Sequence, residues 1–82
     1  MEERWLGEAI SKRRHVLKQS QEETAHAAGI SSRYFADVER GTRSVSVVVA
    51  RRIARALSMK LQDLLDLADA IGSRSTKPRP KR

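Results

Sequence analysis

The stretch from Ser20 to Gly41, SQEETAHAAGISSRYFADVERG, constrains the fold of this chain more than any other. Gln21 to Ala28 is made mostly of good helix formers and carries Glu22 and Glu23 in its first turn, where the partial positive charge of a helix start favours acids. Gly29 stops that helix, because glycine adopts the left-handed conformation of a helix end without steric cost. Ser31 or Ser32 caps a second helix, predicted from about Ser32 to Arg40 and closed by Gly41. Two helices this short, joined by a glycine turn, read as a helix-turn-helix that the rest of the chain must hold.

The flanking segments supply what is needed. Trp5, Leu6, Ala9, Ile10 and Leu17 repeat at helical spacing and predict a first helix over about residues 4–17. Arg13 and Arg14 interrupt that stripe. Either both lie at its edge with stems packed and heads in water, or Arg14 points inward and needs a buried carboxylate. Glu39 is the candidate, one turn beyond Phe35 on the inner face of the second motif helix. Ser46 caps a fourth helix whose core face is read as Val47, Ala50, Ile53, Ala54 and Leu57, with Val48, Arg51, Arg52 and Arg55 outward. A fifth helix is predicted over about residues 60–71, ended by Gly72. Its apolar residues spread over an arc of about 160°, wider than the roughly 100° that seats one helix on a core. The surplus, Leu64, Leu67 and Ile71, is read as a dimer interface.

After Gly72 the composition changes. SRSTKPRPKR has two prolines, five positive charges and no apolar residue, so residues 73–82 are expected to form a disordered basic tail behind a domain of residues 1–72. With no strand pattern and no internal repeat, the fold class is all-α with five helices. A chain of 82 residues with 39% hydrophobic content has only a small core. It contains no cysteine, so disulfides and thiolate metal sites are excluded. No apolar run approaches the roughly 18 residues of a membrane span, and Glu2, Glu3 and Glu8 stand where a secretion signal needs basic and apolar regions. A soluble, cytoplasmic chain is expected.

The net charge of +7 points to an anionic partner. Its distribution is more telling than its sum. Residues 1–30 balance five acids against five bases, whereas residues 31–60 hold seven basic and two acidic side chains, and residues 61–72 carry only three acids. The positive excess is therefore divided between the region on and after the second motif helix and the tail.

Several spaced pieces then agree on one family. LGEAISKRR, SQEETA, the turn AGIS, the end VERG and the later IARALSM with its following leucines, spanning Leu6 to Leu65, make the chain resemble the Cro, lambda-repressor-like or Xre type of helix-turn-helix. The resemblance implies a five-helix DNA-binding domain of a prokaryotic or phage transcriptional regulator that binds double-stranded DNA, and because one module buries too little surface for tight selective binding a homodimer is expected. It implies base contacts from Ser32 and Arg33, with Asp37 one turn on, and phosphate contacts from Gln21, Tyr34, Arg40, Thr42 and Arg43. It also implies a buried ion pair of Arg14 with Glu39, the pair that the stripe argument reaches on its own. Asp37, four residues after Arg33, is equally read as that arginine's partner within the helix. Thr24, Val45 and Arg51 depart from the family's preferred leucine, proline and core apolar residue, which implies looser packing.

Other functions find less support. His15 and His26 lack cysteine partners and a His-x-x-x-His spacing, and no glycine-rich phosphate loop is present, so no enzyme, metal, cofactor or small-molecule substrate is expected. Trp5, Tyr34 and Phe35 form no stacking platform for RNA. The alternative is a protein-interaction module, an antitoxin or adaptor, using the apolar face of the fifth helix.

Overall fold

A computed structural model of the chain describes residues 3–75. They form five helices, α1 Glu3–Val16, α2 Gln21–Ala28, α3 Ser32–Arg40, α4 Val47–Ala56 and α5 Leu61–Ser75. The starts of α2, α3 and α4 are set by serine. Ser20 accepts a hydrogen bond from the Glu23 backbone N–H at 3.0 Å while the Glu23 carboxylate accepts from the Ser20 N–H at 2.7 Å, a reciprocal capping box. Ser31 caps α3 through the Tyr34 N–H, and Ser46 caps α4 through the Val49 N–H.

Four helix ends share one design. Lys18, Gly29, Gly41 and Ser58 all take left-handed φ, between 58° and 77°, and in each case the next residue's N–H reaches back to the carbonyl five positions earlier. Glycine fills only two of these positions. Lys18 and Ser58 adopt the conformation with a side chain attached, which costs on the order of 1 kcal/mol each. Neither gave a stop signal in the sequence.

α1 packs against α3 and α5, α2 against α3 and α4, and α4 against α5. Ile10, Phe35, Ile53, Leu57 and Leu64, all fully buried, meet at the centre. Two close approaches set how the helices seat. A Cβ at Gly7 would fall 2.4 Å from the Val38 carbonyl oxygen and 2.5 Å from that of Glu39, so α1 lies directly on the end of α3. A Cβ at Gly72 would fall 2.5 Å from the Trp5 ring, so α5 reaches α1 through that gap.

Gly72 therefore does not end α5. The helix runs three residues further, to Ser75, because Gly72 makes room for the indole of Trp5 and the chain has no competing stop there. The boundary expected at residue 72 falls inside a helix, and the rest of the expected basic tail, residues 76–82, lies outside the described residues. Leu64 and Ile71 are also corrected. They are 0% and 3% exposed, and Leu67 is half-buried, because α5 serves two neighbours, α1 and α4, and the wide apolar arc covers both. Val47, read as core, is 64% exposed. As the first residue of α4 it lies about 70° from the centre of the buried Ala50, Ile53, Ala54 and Leu57 at 100° per residue.

Thr24 occupies a fully buried position without leaving its hydroxyl unsatisfied. It donates within 3.0 Å of both the Gln19 side-chain oxygen and the Ser20 carbonyl, which removes the desolvation penalty of a buried hydroxyl. Arg51 is exposed, so α4 is rotated to keep that charge in water.

Candidate nucleic-acid interface

α3 is an amphipathic rod of nine residues, about 13.5 Å long at roughly 1.5 Å per residue. Phe35 and Val38 anchor it in the core. Its carboxyl-terminal half is also tied by charge. Arg14 extends from α1 and donates from Nε to Glu39 Oε2 at 2.6 Å and from Nη2 to Oε1 at 3.3 Å, while its Nη1 donates to the Gln19 carbonyl at 2.9 Å. The two side chains are only 12% and 7% exposed. A buried charge of this kind needs its partner, and each supplies the other's.

The same carboxylate holds a third group. Gln21 Nε2 donates to Glu39 Oε1 at 2.8 Å, so the first residue of α2 is fastened to the last turn of α3. Sequence reasoning gave Gln21 an outward role and missed this contact; the acceptor becomes visible only once α2 and α3 are crossed. Arg13 was also undervalued. Its Nε donates to the Leu57 carbonyl at 3.0 Å, satisfying the end of α4 from α1.

The opposite end of α3 faces outward. Ser32 and Arg33 are exposed, and among the described residues neither side chain has a hydrogen-bond or ion-pair partner. Asp37 pairs with Arg40 rather than Arg33, and its carboxyl side chain is 20% exposed against 64% for Arg40. The backbone turns away beyond Gly41 in an orderly manner. The Thr42 N–H and hydroxyl both donate to the Asp37 carbonyl at 3.0 Å. Arg43 lies 5.0 Å over the Tyr34 ring, and the Tyr34 hydroxyl points to the Ser44 carbonyl at 3.5 Å. Tyr34 and Arg43 thus form one polar ledge, while Thr42 closes the carboxyl end of α3.

Among the described residues no group of three His, Asp or Glu side chains is placed to hold a metal ion. His15 Nδ1 lies 2.7 Å from the Ser11 carbonyl on its own helix. No described helix is long and apolar enough to cross a membrane.

Five packed helices, with the second pair joined by a glycine turn and the third offering its first side chains outward, define a helix-turn-helix module. The family model described as helix-turn-helix matches residues 17–64, more than half of the chain, and the protein belongs to that family in its Xre, lambda-repressor-like form. The control protein C.BamHI of Bacillus amyloliquefaciens is 43% identical over 47 residues, which make up 57% of this chain and 58% of that protein, so the match spans little more than half of the relative's length. Among solved structures, the restriction-modification controller protein C.AhdI from Aeromonas hydrophila is 32% identical with a TM-score of 0.74, covering 76% of this chain and 94% of the other. The clp gene regulator ClgR from Corynebacterium glutamicum is 26% identical with a TM-score of 0.82, covering 89% of this chain and 79% of the other. Over its helix-turn-helix core the chain is thus similar to a restriction-modification controller protein and to a clp gene regulator.

Proposed function

We propose that the protein is a repressor that binds a near-palindromic operator as a homodimer, each copy placing the start of α3 in the major groove. The observation that carries this reading is the unpartnered Arg33 beside Ser32 at an exposed helix start. Residues near the start of a helix in the major groove reach base edges, and an arginine there pairs with guanine O6 and N7. Ser32 and Asp37 read the neighbouring positions. Asp37 can do so because its surface pair with Arg40 is worth only about 0.2–0.5 kcal/mol and separates readily. Arg40, Arg43, Tyr34, Thr42 and the amide of Gln21 then meet the phosphate backbone, which positions the module without specifying sequence.

One module this small buries too little surface for tight selective binding, so two copies about 34–36 Å apart, one turn of duplex, are required. In that arrangement the regulator acts in the bacterial cytoplasm, where its operator lies. Selection of bound duplexes from a random pool, read at two salt concentrations, tests the proposal. A two-fold symmetric motif enriched at both concentrations is expected, with affinity falling as salt rises. Enrichment of no motif, or of a single unrepeated half-site, contradicts it.

A further inference from the structure

Beside the turn that joins α2 to α3, an open cleft of about 330 Å³ runs between the end of α2 and α4, lined by His26, Ala27, Ala28, Gly29, Arg52 and Arg55. Arg52 and Arg55 stand three residues apart on α4, so their side chains share one side of that helix. A guanidinium nitrogen of Arg52 lies 4.0 Å from where a Cβ would stand on Gly29, so this side chain reaches across from α4 to the turn. Among the described residues His26, Arg52 and Arg55 have no hydrogen-bond or ion-pair partner. The Ala25 and His26 carbonyls at the end of α2 do not engage them, because they already accept from the Ile30 and Gly29 N–H groups at 3.0 and 3.1 Å. No acid lines the cleft either. The Glu23 carboxylate is held by the Ser20 N–H, and Glu22, one turn before His26, is exposed and outside the lining.

Two guanidiniums and an imidazole around one cleft, with no carboxylate in its walls, make a site for an anion. Arginine presents paired N–H groups that match phosphate oxygens, and imidazole supplies a donor whether neutral or charged. The volume lies at the small end of ligand-sized clefts, which begin at about 300 Å³. We propose that this cleft binds the phosphate group of a small molecule, held between Arg52 and Arg55 with His26 as the third donor. A ligand there touches α2, the turn and α4 at once. Its occupancy therefore stabilises the packing that presents Ser32 and Arg33. The inference goes beyond the operator reading and does not depend on the homodimer.

Titration of the full chain with inorganic phosphate and with AMP, without duplex and at ionic strength held constant with sodium chloride, tests it. Two-dimensional proton–nitrogen NMR is the readout. Saturable shifts confined to residues 26–29 and to the Arg52 and Arg55 Nε–H signals are expected below about 20 mM ligand. Tighter binding of AMP than of phosphate assigns the site to a phosphate monoester, and equal binding assigns it to free phosphate. Arg52→Ala and Arg55→Ala should each weaken binding by about fivefold or more, whereas Arg51→Ala, which removes the same charge outside this cleft, should change it by less than about twofold. Circular dichroism checks that each variant keeps its helices. An absence of saturable shifts, or equal losses in all three folded variants, shows only diffuse attraction to a basic surface and overturns the site. If a duplex carrying the selected motif displaces AMP and shields Arg52 and Arg55, the cleft is part of the DNA contact and the small-molecule site is refuted, although the reading of α3 stands.

Discussion

At its carboxyl end α3 is held by everything near it: Glu39 receives Arg14 and Gln21, the Val38 and Glu39 carbonyls lie against Gly7, and Asp37 holds Arg40 and Thr42. At its amino end Ser32 and Arg33 have no partner among the described residues. One helix of nine residues thus has an anchored half and a presented half. The difference separates two kinds of residue that sequence position alone would group together. Substitutions at Glu39 and at the Gly7 contact act on folding, and those at Ser32 and Arg33 act on recognition.

The sharpest way to break that division is to remove Glu39. Glu39→Ala strands Arg14, which keeps only the Gln19 carbonyl, and releases Gln21, so stability to urea should fall by about 3 to 5 kcal/mol. A loss below about 1 kcal/mol would mean that the pair behaves as a surface contact and that α3 is held by its apolar face alone. Gly7→Ala comes next. The added methyl meets backbone rather than a movable side chain, and about 1 to 3 kcal/mol should be lost as α1 is pushed from α3. Arg43→Ala removes one ledge cation that stacks on Tyr34; its expected effect is uniform weakening on all duplexes and a salt slope smaller by about one unit, measured by titration at several salt concentrations. The smallest effect belongs to Asp37→Asn. Stability should change by no more than about 0.5 kcal/mol, because an exposed pair three residues apart is worth little.

Much of the fold could be read before any coordinates. The starts of α2, α3 and α4 follow from serine caps, and the ends of α2 and α3 from glycine, because these residues satisfy local backbone needs that do not depend on the rest of the chain. The Arg14–Glu39 pair could be anticipated for a related reason: a charge in an apolar stripe demands a carboxylate, and only one lay on the right face. What escaped reading depends on neighbours. Gly72 has the local signature of a helix end, yet here it is a gap for Trp5, which only the packing of α5 on α1 reveals. Lys18 and Ser58 end helices in the left-handed conformation without glycine, so no residue type marked those ends. The apolar arc of α5 was taken as surplus because the pattern counts apolar residues without showing that two helices share them. At the interface, the exposure of Ser32 and Arg33 agrees with the sequence expectation, whereas the Gln21–Glu39 bond and the Asp37–Arg40 pair required the crossing of α2 and α3 and the actual rotamers.

The presented end carries the central claim, and duplex selection with Arg33→Ala beside the parent tests it most directly. The account predicts that Arg33→Ala melts as the parent does but loses about 1 to 3 kcal/mol of discrimination at one base pair of each half-site, with the remaining positions intact. If the selected motif is unchanged at every position, Arg33 does not read bases and the free end of α3 is not the recognition surface.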